Sequence, residues 1–240
     1  ALTGLVEFSV GGNFSGSLGR PTSPVLLPPM TSVNVDAPLA RQINLFPSTV
    51  VTMRMLGSNA VTYGCHLYDG TIDDLIVRAG SGNLIGALAN VTRLWVCPSS
   101  QIQNRCRLQI DYGASIGKLN MAGGELFNYA SITDADVHSG LLRFYWDNTN
   151  VPGISGILFL TGGTVDWRTN GATIGTLKAR GGVFDGRGTE YPNTITNSEV
   201  LEGAAVLLNN ATQSWTLTNA MKKYGAARVE GTSNITIMVD

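Results

Sequence analysis

The sequence predicts an all-β fold, a parallel β-helix wound at about 20 residues per coil behind an extended N-terminal arm. Three observations predict it. Apolar residues alternate with polar ones in many short segments, glycine pairs recur at a nearly constant spacing, and helical periodicity is almost absent. An antiparallel β-sandwich whose hairpins carry glycine pairs is the alternative fold for the same pattern.

The chain opens on Val6, Phe8 and Val10 alternating with Glu7 and Ser9, which reads as one short strand. Gly11-Gly12-Asn13 and Ser15-Gly16-Ser17 then loosen the backbone. Five of the nine prolines follow: Pro21, Pro24, Pro28, Pro29 and Pro38. Proline fixes φ and removes a donor, so neither helix nor central strand is expected from Arg20 to Pro38. Residues 1–44 are therefore read as an arm with apolar anchors at Val6, Phe8, Val10, Leu26, Leu27 and Met30. Burying one large side chain stabilises by roughly 1.5–3 kcal/mol. Ordering the backbone costs roughly 1–2 kcal/mol per residue. Few anchors on so long a segment predict that it orders only against a neighbouring surface.

Residues 45–240 form the predicted body. Val51-Met53-Met55, Leu94-Val96, Leu108-Ile110-Tyr112, Leu119-Met121, Val206-Leu208 and Ile235-Ile237-Val239 all show period two. Candidate helices are few; Ile72 to Ala79 and Asn219 to Tyr224 are the best, and neither is long enough to make a layer. Leu119 to Leu126, Leu158 to Val165 and Leu177 to Phe184 each read as strand, paired glycine, strand. From Gly124 the cadence continues through Gly140, Gly163, Gly182, Gly203 and Gly225, in steps of 16, 23, 19, 21 and 22. Glycine at a repeated corner supplies the positive φ that a sharp bend between strands demands.

Composition narrows function. Charged residues are 14% of the chain and the net charge is −1, which removes the basic stripe that phosphate binding needs, so no nucleic-acid partner is expected. No apolar run reaches the ~18 residues needed to cross a bilayer, so no membrane partner is expected either. The start lacks a basic region followed by an apolar stretch, and no intact secretion signal is expected. Cys65, Cys97 and Cys106 have no metal-knuckle spacing and read as reduced thiols of a protein made in a cytosol.

The strand-glycine-strand cadence, as in Gly181-Gly182-Val183-Phe184-Asp185-Gly186, resembles right-handed parallel β-helix proteins over residues ~105–240, and more loosely over ~45–105. That group includes polysaccharide lyases and hydrolases, adhesins, phage tailspikes and phage capsid-decorating proteins. A small, charge-poor body behind a proline-rich arm is most similar to the last. The resemblance implies a virion structural protein, a head decoration or cement protein on the capsid surface, assembled in the host cytoplasm. Its implied partners are the major capsid protein or other virion subunits, and copies of itself, a trimer as first expectation. The alternating segment Asn234 to Asp240 supports self-association, since an apolar solenoid end invites pairing.

The alternative is an extracellular glycan-binding or glycan-cleaving β-helix. Glycoside cleavage needs carboxylates a few ångströms apart. Asp73-Asp74 and Asp134/Asp136 are the only tight acidic groups, and neighbours such as Asp73 and Asp74 are expected on opposite strand faces. The Asn-Thr-Asp, Gly-His-Gly and Arg-Ile-Lys segments of polygalacturonase-like β-helices are absent. Asp134 and Asp136 offer two carboxylates to a cation without the rest of a loop. No catalytic set, metal site or cofactor site is predicted. For glycan stacking the candidates are Tyr145, Trp146 and Trp167, placed one coil apart, with an internal aromatic stack as the competing reading. Trp95 and Trp215 are assigned to the core.

Overall fold

The computed structural model describes residues 7–11, 25–27, 30–36, 43–47, 49–55, 65–78, 83–98, 106–146, 151–189, 191–209, 215–231 and 235–239, with side chains from residue 66 onward. Among these residues every regular element is a strand and every ladder is parallel, so the chain is a β-solenoid and not an antiparallel sandwich. Its turns are spaced about 20 residues apart.

Two ladders run along it. The first is built from β1 (Glu7–Gly11), β3 (Met30–Asp36), β5 (Thr49–Met55) and the second parts of β6 (Cys65–Val77) and β7 (Asn83–Val96). It continues through the first parts of β9 (Ser115–Asn128) and β10 (Ser131–Tyr145), then β11 (Ile154–Leu160), β13 (Thr173–Ala179) and β15 (Thr194–Val200). β17 (Thr216–Leu217), β18 (Met221–Lys223) and β20 (Ile237–Val239) complete it. The second ladder holds β2 (Val25–Leu27), β4 (Ile43–Pro47), the first parts of β6 and β7, β8 (Arg107–Ile110) and the second parts of β9 and β10. It ends with β12 (Thr164–Arg168), β14 (Gly182–Asp185), β16 (Ala204–Leu207) and β19 (Arg228–Glu230).

The first ladder repeats one core unit, seen as Ile72-x-x-Leu75-x-Val77, Val91-x-x-Leu94-x-Val96, Ile116-x-x-Leu119-x-Met121 and Ile174-x-x-Leu177-x-Ala179. All twelve named residues are buried. Register stacks Leu75, Leu94, Leu119, Ala135, Leu158 and Leu177 into one column and Val77, Val96, Met121, Val137, Leu160, Ala179 and Val200 into another. The inward spacing is three and then two, because the strand bends after its first inward residue. Ile72 and Leu75 thus mimic a helical repeat. This corrects both helix expectations: Ile72–Val77 lies in β6, and Met221–Lys223 is β18.

Glycine makes the turn from the first ladder to the second. Gly124, Gly140, Gly163, Gly182, Gly203 and Gly225 all have positive φ, between 57° and 91°. The corners therefore fall where the cadence placed them.

The proline-rich segment departs from expectation. β3 pairs with β1 on one side and β5 on the other, so Arg20 to Pro38 does contain a central strand. Pro28 and Pro29 lie in sequence between β2 and β3, and no proline falls inside β3, so the ladder loses no donor there. Register puts Phe8 in line with Val33, and Val10 with Val35; the same columns lead to buried Leu75 and Val77.

Cys106 is buried, Cys97 is half-buried and both are free thiols; the Cys65 side chain lies outside the described residues. Burial pushes the Cys106 thiol up to about 12. The folded protein then holds this proton where an unfolded thiol, near 8.5, has lost it, so stability falls as pH rises from about 9 to 12. Iodoacetamide at pH 8 is expected to label Cys97 within minutes and Cys106 only at the rate of unfolding. Peptide mapping checks this; equal labelling of both in the native state would overturn it.

Candidate functional site

The outward face of the second ladder collects the residues that the core does not use. Register lines His66, Leu84, Gln109, Phe127, Arg143, Asp166 and Asp185 along one outward column. The short strand β8 supplies Arg107 and Gln109 to this face, alternating with buried Leu108 and Ile110. At the head of the column a cleft of about 410 Å³ is lined by His66, Asn83, Leu84, Arg107, Leu108, Gln109 and Phe127. Arg107 is held by Glu125 at 2.6 Å, and the Gln109 amide donates to Asp111 Oδ1 at 2.8 Å.

Aromatic rings fill the middle of the face. Phe127 and Tyr145 stack at 6.2 Å, Tyr129 and Tyr145 at 5.3 Å, and Tyr112 meets Tyr129 edge-on at 5.6 Å. The Arg143 guanidinium lies 5.8 Å from the centre of Phe127 and 5.9 Å from that of Tyr145. Such contacts between neighbouring strands stabilise a sheet by roughly 0.2–1 kcal/mol each. Burial raises the Tyr129 phenol above its ordinary value.

Ion pairs occupy the later coils. Arg143 Nε reaches Asp166 at 2.7 Å, Arg168 Nε reaches the same carboxylate at 3.0 Å, and Arg187 Nη2 reaches Asp185 at 2.7 Å. Hydrogen bonds from Arg187 hold the Asp185 carboxyl below the usual carboxylate range. Opposite charges alternate here, so this stretch carries little net field.

Of the predicted stacking residues, Tyr145 belongs to this face and Trp146 sits beside it, half-buried, with its ring 6.0 Å from exposed Tyr191. Trp167 does not. It is fully buried, 4.4 Å from Phe144, and donates from Nε1 to Asn193 Oδ1 at 3.3 Å. Register pairs it with Phe144 and not with Trp146, which turns it inward. Phe184 and Trp215 complete that internal stack, at 5.9 and 6.3 Å from Trp167. Trp215 is in the core as assigned, whereas Trp95 is outward and 40% exposed.

Asp74, Asp134 and Asp136 have structural partners. Asp74 accepts both Nε and Nη2 of Arg93, at 2.6 and 2.5 Å, and these bonds hold it below the usual carboxylate range. Asp73 is exposed beside it; the bend between Ile72 and Leu75 leaves both aspartates outside the core, correcting the expectation of opposite faces. Asp136 pairs with Lys118 at 2.7 Å, and Asp134 Oδ1 accepts the Ile157 amide at 2.7 Å. Among the described residues no three His, Cys, Asp or Glu side chains gather as a metal site.

Of the arm anchors, Val6 lies outside the described residues. Phe8 and Val10 fall in β1, Leu26 and Leu27 in β2, and Met30 in β3, with their side chains outside the described residues. Sequence reasoning missed Tyr112, Phe127 and Tyr129. The signal was present, since Tyr112, Tyr129 and Tyr145 recur at intervals of 17 and 16, close to one coil.

Comparison with known proteins finds no matching family model, no similar curated protein and no similar solved structure.

Proposed function

We propose that the protein is a non-enzymatic structural component of a virus particle, a head decoration or cement protein that binds capsid subunits through its N-terminal strands and an edge of its solenoid. A symmetric homo-oligomer, a trimer first, fits that role. The observation that supports this reading is the double ladder itself, which links the described strands from Glu7 to Val239 in parallel register. Its outward charges are paired across coils, as in Asp74–Arg93, Lys118–Asp136, Arg107–Glu125 and Arg143–Asp166. A solenoid so built is a stiff strut whose turns interact only with their neighbours.

Terminal turns of a solenoid can be removed without unfolding the rest. Deleting residues 1–30 removes β1 and β2, and the body from Cys65 onward is expected to stay folded while co-sedimentation with purified candidate capsids is lost. Retained binding by the truncated protein would overturn attachment through this segment, and failure of the full chain to bind any capsid would count against the virion role.

The aromatic face favours a second reading, a glycan-binding module. Rings on an exposed sheet face offer apolar platforms beside polar groups, the arrangement that recognises sugars.

A further inference from the structure

We propose that the cleft at the head of the aromatic face is a subsite for one neutral pyranose unit of a glycan, with Phe127 as its platform. This rests on the glycan-binding reading above. Phe127 lies between Gln109 and Arg143 in register. On the Arg143 side its ring is covered by that guanidinium at 5.8 Å and by Tyr145 at 6.2 Å. On the Gln109 side it borders the open volume of the cleft. Tyr129 and Tyr145, in contrast, stack on one another. Of the rings in this cluster, Phe127 is the one that lines the cleft.

The rim matches sugar hydroxyls. Gln109 gives one amide hydrogen to Asp111 and retains its carbonyl and second hydrogen. Arg107 binds Glu125 through Nε, and a guanidinium has five donors, so others remain for a ligand. Donors and acceptors thus stand around an aromatic platform, as in a small-ligand site, and the volume of about 410 Å³ lies in the range of such sites. Charge selects against acidic sugars, because Glu125 neutralises Arg107 and would repel a carboxylate. Successive coils rise by about 4.8 Å, close to the length of one pyranose in an extended chain. Units beyond the first would follow Leu84 and His66 along the column.

The test is titration of the full chain with cellotetraose, maltotetraose and chitotetraose as neutral probes, and with trigalacturonate and adenosine monophosphate as an acidic sugar and a flat base. A neutral probe is expected to bind, Phe127→Ala and Gln109→Ala each weakening it at least tenfold and Tyr191→Ala leaving it unchanged. Phe127→Leu keeps apolar bulk without a flat ring, and should lose binding at an unchanged melting temperature. Neutral binding that survives Phe127→Leu would overturn the subsite and leave the glycan reading standing. Preference for trigalacturonate or the nucleotide would overturn the neutral-sugar assignment. No binding by any probe would overturn both.

Discussion

Gly163→Ala is expected to destabilise the fold by about 2–5 kcal/mol, against about 1–2 kcal/mol for Gly203→Ala. Both residues sit at the same corner, two turns apart, with positive φ, +71° and +88°. A Cβ in that region costs about 1–2 kcal/mol whatever surrounds it. The surroundings differ. At Gly163 the new atom would stand 2.7 Å from Gly140 O, 2.8 Å from Ser139 C and 2.9 Å from Gly140 N, all backbone of the preceding coil. At Gly203 nothing lies within 4 Å. Gly140 and Gly182 repeat the close approach, at 2.5 Å from Gly124 O and 2.6 Å from Gly163 O. Coils at these corners therefore pack backbone on backbone, and forced overpacking adds roughly 1–3 kcal/mol. Urea unfolding of the two variants measures the difference. Equal losses would show that φ alone, and not stacking, fixes these glycines.

The corners were legible because the demand for positive φ is local, and it recurs at each turn. The core columns were harder to read. Their inward residues follow a spacing of three and two, which matches neither strand nor helix. The first inward residues, Ile72, Val91, Ile116, Ile132, Ile154, Ile174 and Ile195, recur at steps of 19, 25, 16, 22, 20 and 21. Variable insertions at the corners absorb that spread, so a fixed period misaligns neighbouring coils. Trp167 was misplaced for this reason: its partner Phe144 is 23 residues earlier, and counting 21 set it against Trp146. The aromatic face depends on the same registers, and only the tyrosine spacing hinted at it. Prolines hid β2 and β3 because composition counts them, while a ladder is sensitive only to where they fall.

Asn193→Leu is expected to cost about 4 kcal/mol or more, and Asn193→Asp at least as much at pH 7. Asn193 is 1% exposed and makes four hydrogen bonds. Its Oδ1 accepts from Trp167 Nε1 at 3.3 Å and from the Ala172 amide at 2.9 Å. Its Nδ2 donates to the carbonyls of Thr169 and Tyr191, both at 3.0 Å. Turning the amide over would set two donors against two donors, so only this orientation satisfies the site. The side chain ties the internal tryptophan stack to the corner before β13. Leucine fills a similar volume but leaves three buried groups, Trp167 Nε1, the Ala172 amide and the Thr169 carbonyl, without partners, and each such group costs roughly 1–3 kcal/mol. Aspartate keeps the two acceptor bonds and faces two carbonyl oxygens with a charge, which raises its pKa in the folded state above the unfolded value near 3.9. The folded variant then binds a proton that the unfolded chain has released. Its deficit is complete above the raised folded pKa and shrinks as pH falls toward 4, where the protonated acid donates to one carbonyl. Asn193→Leu has no such group, so relative to the parent its loss should stay flat with pH. Urea midpoints of the parent and both variants from pH 4 to 8 decide the matter. Parallel curves for aspartate and leucine would mean that Asn193 fills space and the four bonds contribute little.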